Sequence, residues 1–138
     1  MDQNFLLTTL ILAVRNQISR RDGEYLSEYN LTYQQYSVLM IMATENKKMS
    51  ITSLVNYIGV RQPTMTGIIN RLEQKKFVKK KINTVDNRRI EIVLTSKGKK
   101  IVNKIDPKQY HEETKFFEVF STTEKKQLTK LLSKLLQA

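Results

Sequence analysis

Between Ser50 and Leu72 the apolar residues fall into two short helical registers, broken by a tight turn at Gly59-Val60. Ser50 is a suitable N-cap for the first register, with Ile51, Leu54, Val55 and Ile58 facing inward and Gly59 ending it. Pro63 suits the first turn of the second, where its missing N–H costs nothing. That helix continues to about Lys75 with Met65, Ile68, Ile69 and Leu72 on one face. Two short helices across such a turn have the spacing of a helix-turn-helix.

The segments around this pair are consistent with it. Residues 77–82 and 89–94 both alternate, and the polar residues between them predict a hairpin. Upstream, Thr32 and Gln35 form a capping box for a helix over about 33–43. A first helix is expected from about Asn4 to Arg21, restarting after Gly23 toward Tyr29. Downstream, Thr95 caps a long helix that Asp106-Pro107 should break, with a new segment starting at Pro107. A second capping box, Ser121 with Glu124, opens a last helix with a leucine stripe at Leu128, Leu131, Leu132, Leu135 and Leu136. Four glycines and two prolines in 138 residues fit a helical chain better than a turn-rich β protein. The expected fold is mainly α with a small β-hairpin wing. Residues 1–30 would form an N-terminal dimerisation helix, 31–98 the winged helix-turn-helix lobe, and 99–138 C-terminal dimerisation helices.

Charge then narrows the function. From Arg71 to Lys108 there are thirteen lysines and arginines against four acids, a net of +9 within +11 for the whole chain. A positive field concentrated beside a helix-turn-helix points to nucleic acid. On the second helix of the pair, Gln62, Thr64, Thr66, Asn70 and Arg71 are the candidate readers. Amides and hydroxyls can bond base edges, and threonine can offer a methyl to thymine or bind phosphate. On the wing, Lys79, Lys80 and Lys81 alternate sides of a strand, so some reach phosphates. Lysines also block edge-to-edge pairing, and both roles stay open. Arg88 and Arg89 sit at the tip, where an arginine can enter a narrow minor groove. Asp86 is an odd residue for a DNA-facing loop unless it holds an arginine by a charge-assisted hydrogen bond.

At this point the chain resembles the MarR family of bacterial winged-helix transcription regulators. The resemblance rests on residues 62–78 (QPTMTGIINRLEQKKFV), followed by Asp86-x-Arg88 and then Leu94-Thr95-x-x-Gly98. Residues 50–59 (SITSLVNYIG), Leu31-Thr32 and residues 36–42 extend it over nearly the whole chain. It implies a dimer whose first and last helices interlock. It also implies a recognition helix in the major groove and a wing in the minor groove. Arg88 takes the place of the wing arginine, and Asp86 that of its positioning acid. Gly67 departs from the pattern by removing a long side chain from the recognition face. Lys76 stands where a glycine is usual, which implies a slightly different turn.

The implied interface would use Phe5, Leu6, Leu10 and Val14 with Leu128, Leu132 and Leu135. The expected partners are a pseudo-palindromic double-stranded DNA, a second copy of the chain and a small-molecule effector. Phe5, Tyr36 or Phe116 would line an effector pocket unless they are ordinary core. The expected function is a dimeric repressor. The rival is an architectural DNA-binding protein of the same fold with little sequence preference.

No enzyme chemistry is legible. The lack of cysteine excludes disulfides, zinc–thiolate sites and thiol sensing. His111 beside Glu112 and Glu113 lacks the further partners a metal needs, so no metal or other cofactor is expected. The apolar run Phe5–Val14 is too short to span a bilayer, and Asp2 stands where a signal peptide carries positive charge. No membrane is therefore expected as a partner, although that run could still anchor the chain to a surface. The expected location is the cytoplasm.

Overall fold

Caps set where the helices begin. In the computed structural model the Asp2 carboxylate accepts from the Phe5 N–H at 3.0 Å, starting α1 (Gln3–Ser27). The Thr32–Gln35 box closes with both bonds, at 3.1 and 3.2 Å, and opens α2 (Tyr33–Glu45). Ser50 Oγ accepts from the Ser53 N–H at 3.1 Å and starts α3 (Ile51–Ile58). Gly59 then takes φ +75°, the left-handed conformation that ends a helix at little steric cost. After it come α4 (Gln62–Gln74), β2 (Val78–Ile82), β3 (Ile90–Leu94) and α5 (Ser96–Lys104). The structure describes all residues except Asn87 and Asp106, and the side chains of all but those two, Gln109, Glu112, Glu113 and Thr114. The expected break at Asp106 and the polar cluster Glu112-Glu113 therefore lie outside what is described.

By its contacts the chain forms two units, Met1–Asp106 and Pro107–Ala138. In the first, Val38, Leu39 and Met42 of α2 are buried with Leu54 of α3 and Met65, Ile69 and Leu72 of α4. Val78 and Ile92 close this core from the sheet. Each such side chain contributes roughly 1.5–3 kcal/mol through burial. The second unit holds α6 (Pro107–Thr114) and α7 (Thr122–Leu136), and no residue of α7 is buried.

Three local outcomes differ from expectation. The first helix does not stop near Arg21; it runs on through Gly23 to Ser27. One interior glycine costs only up to about 1 kcal/mol relative to alanine, and the fully buried Leu26 anchors the turn after it. The hairpin is part of a three-stranded antiparallel sheet in the order β1-β3-β2, where β1 is only Met49–Ser50. Met49 pairs with Ile92, and Val78 to Ile82 pair with Leu94 to Ile90. Lys76 does not change the turn after α4. It adopts φ +64°, as a glycine would. Lys76 N–H donates to the Glu73 carbonyl at 2.9 Å and Phe77 N–H to that of Leu72 at 3.0 Å, the paired bonds of a Schellman end. A lysine held there costs about 1 kcal/mol.

The Leu94-Thr95-x-x-Gly98 string is a structural lock. Thr95 Oγ1 donates to the Lys76 carbonyl at 2.7 Å and accepts from the Gly98 N–H at 3.0 Å. A Cβ on Gly98 would lie 2.2 Å from the Phe77 carbonyl oxygen, so only glycine fits where α5 crosses the start of β2. The lock joins the chain entering the wing to the chain leaving it.

Candidate nucleic-acid interface

Helix α4 buries Met65, Ile68, Ile69 and Leu72, so its opposite side must be exposed. That side carries Gln62, Thr64, Gly67, Asn70 and Arg71, with Thr66 half-buried at its edge. Thr66 Oγ1 donates to the Gln62 carbonyl at 3.0 Å, which uses its hydrogen and leaves a methyl and a lone pair for a partner. Arg61, exposed at the N-cap position, adds a charge that helix-face reasoning overlooked.

The helix is tied to the wing. Lys80 Nζ donates to Asn70 Oδ1 and lies 3.5 Å from the Glu73 carboxylate, while the Lys80 N–H donates to the other Glu73 oxygen at 3.3 Å. Lys80 is thus engaged with α4, whereas Lys79 and Lys81 project from the other side of β2. Asn70 keeps its amide N–H groups as donors. Lys97 is also engaged: it donates to the Lys75 carbonyl at 3.1 Å and lies 5.3 Å from the centre of the Phe77 ring. Burial, and next the Arg71 charge, pull the Lys75 ammonium below the usual lysine range. Lys75 donates to the Asn30 carbonyl and, at 3.0 Å, to Gln35 Oε1, tying the end of α4 to the start of α2.

The wing loop is organised by Asn83, which the sequence marked only as a turn former. Its Oδ1 accepts from the N–H groups of Val85 at 2.8 Å and Asp86 at 3.1 Å, and its Nδ2 donates to Glu91 at 2.7 Å. An Asn a few residues before an Asp was the available signal, since this residue type bonds the backbone just ahead of it. Asp86 Oδ1 then accepts from the Arg88 N–H at 3.0 Å and lies 3.5 Å from Arg88 Nε. Its other oxygen lies 3.7 Å from Arg89 Nε. The Arg88 side chain remains 94% exposed, so this pair contributes little to stability and can exchange the carboxylate for phosphate.

The faces assigned to dimerisation are bare in the single chain. Phe5, Leu6, Leu10 and Val14 of α1 are exposed, as are Leu132 and Leu135 of α7, while Leu128 is half-exposed. Within the first unit, a cleft of about 570 Å³ is lined by Met42, Ala43, Asn46, Lys47, Lys48, Val93, Leu94, Lys99 and Asn103. Neither Phe5 nor Tyr36 lines it, and Tyr36 is buried in the core. Phe116 belongs to the second unit.

Comparison with known proteins agrees with this geometry. Residues 23–105 match the family model described as transcriptional regulator SarA/Rot. The uncharacterised HTH-type transcriptional regulator YwaE of Bacillus subtilis is 29% identical over 134 residues, covering 94% of this chain and 75% of its own. The HTH-type transcriptional regulator SarZ of Staphylococcus epidermidis is 33% identical over 97 residues, covering 70% of this chain and 65% of its own. A mutant MarR from E. coli, solved with operator DNA, superposes with a TM-score of 0.81 at 25% identity, covering 99% of both chains.

Proposed function

The chain belongs to the SarA/Rot family of transcriptional regulators, and we propose that it works as a homodimeric repressor gripping a pseudo-palindromic operator. It is a winged-helix DNA-binding regulator, and its family is one of regulators rather than enzymes. In our reading α4 of each copy lies in a major groove. Gln62, Thr64, Thr66, Asn70 and Arg71 face the bases, and Arg88 enters the flanking minor groove. Lys79, Lys81 and Arg89 take phosphates, and Lys80 holds helix and wing at a set separation. Two copies place their recognition helices about 34 Å apart, one turn of duplex. The apolar faces of α1 and α7 are the surfaces we assign to the second copy. Occupying a promoter in this way blocks transcription, and we place that activity in the cytoplasm. We assign the cleft between α2 and α5 to a small-molecule effector that releases the DNA.

The observation that carries this reading is the wing tip, where one carboxylate orients two arginines that are otherwise open to solvent. The test is fluorescence anisotropy with a duplex selected in vitro and a random duplex, across a salt series. The wild type should prefer the selected duplex by roughly 10³-fold or more. Arg88→Ala should weaken binding roughly tenfold and lower the salt slope by about 1, with the dimer intact. Equal affinity for both duplexes at every salt concentration would instead indicate an architectural protein of the same fold.

A further inference from the structure

Glycine is the poorest interior helix former after proline, yet Gly67 sits in the middle of α4. Two physical reasons for a helical glycine are absent here. The backbone has no positive φ at this position, unlike Gly59. A Cβ built on Gly67 meets nothing within 4 Å, whereas one on Gly98 would strike the Phe77 carbonyl. Neither the fold nor the core asks for this glycine. Gly23 is equally unconstrained, but of the two only Gly67 lies on the face assigned to DNA, where a missing side chain bears on what can approach.

One turn away on either side, Pro63, Thr64, Asn70 and Arg71 are all exposed. The missing side chain therefore leaves a shallow depression at the centre of the face assigned to DNA. Its floor is bare helix backbone, and Pro63 and Thr64 lie one turn before it, with Asn70 and Arg71 one turn after. The space left by one missing side chain is smaller than a base, and a glycine offers no side-chain hydrogen bond there. On the edges of the major groove the one apolar group that protrudes is the C5 methyl of thymine. We propose that Gly67 is a specificity-determining position that seats a thymine methyl in each half-site, reading sequence by the absence of a side chain. This inference rests on α4 occupying the major groove.

The experiment joins unfolding to binding. Gly67→Ala should raise the Tm by roughly 2–5 °C, because alanine is the better helix former and has room. Gly23→Ala serves as the control, since a Cβ there also meets nothing within 4 Å but the residue lies on α1. Within the selected duplex, each thymine is replaced singly by uracil, which lacks only the methyl. The wild type should show one position per half-site where uracil weakens binding about fourfold, the worth of one buried methyl. Gly67→Ala should bind the thymine duplex more weakly and no longer distinguish thymine from uracil there. Gly23→Ala should gain stability and keep the wild-type uracil profile. A stabilised Gly67→Ala with wild-type affinity and an unchanged uracil profile overturns the proposal. So does a lower Tm, which would deny the open space. A wild type that binds the selected and random duplexes equally at every salt concentration removes the underlying operator reading as well, so the two failures are told apart.

Discussion

Asn83 shows how a residue acts on a surface it need not touch. Three side-chain hydrogen bonds tie it to the backbone of Val85 and Asp86 and to Glu91, so the approach to Asp86 is shaped from within the chain. Asp86 takes its position from that loop and passes it to Arg88. Removing the amide frees the loop while leaving every charge in place. We expect Asn83→Ala to lower operator affinity roughly fivefold while reducing unfolding stability by only about 1 kcal/mol. Anisotropy titration beside urea unfolding measures both, and wild-type affinity would end the case for a pre-shaped tip. The Asp86–Arg88 relation was legible because both residues sit two apart on one short loop. The engagement of Lys80 was not, because alternation along a strand says nothing about which helix lies over it.

Among the elements, α5 and β2 depend on each other through Gly98. The close approach to the Phe77 carbonyl forbids a Cβ, and that carbonyl lies in a segment held by the left-handed Lys76. A methyl group there must push backbone apart, because moving the Leu94 side chain, 2.7 Å away, leaves the 2.2 Å clash with the Phe77 carbonyl in place. Gly98→Ala is therefore expected to cost about 3 kcal/mol, at the upper end for overpacking. Urea denaturation followed by circular dichroism checks this, and a loss below 1 kcal/mol would show that the contact relaxes. Element starts were legible because capping is written within four residues, as at Thr32 with Gln35 and Ser121 with Glu124. The strand β1 was not, since two residues carry no period and Met49 is a strand only because Ile92 lies beside it. The passage of α1 through Gly23 was hidden for a related reason: burial of Leu26 outweighs a local penalty.

For the molecule as a whole, the exposed apolar faces set the outstanding question. Phe5 is 62% exposed and Leu135 57%, and nothing in a single chain explains a helix that apolar in water. Patches of this kind mark interaction surfaces, and the occupant we propose for these is a second copy of the chain. We expect sedimentation at micromolar concentration to give twice the 16.2 kDa chain mass. Leu10→Glu should shift it toward monomer and weaken operator binding by roughly 10²-fold, as two linked contacts become one. A wild type that sediments as a monomer would contradict the dimer.

What the sequence determined by itself was local: helix starts from caps, buried faces from the 3.6-residue period, the paired helices on either side of Gly59, and a positive field from Arg71 to Lys108. Each depends on neighbours a few residues apart, where geometry follows from covalent connection. The tertiary structure decided how those parts meet. It placed Lys80 against Asn70 and Glu73, made β1 a strand, and separated the glycine at position 98, which packing requires, from Gly67, which packing does not. These contacts join residues whose distance in space depends on the whole core, so no local pattern encodes them.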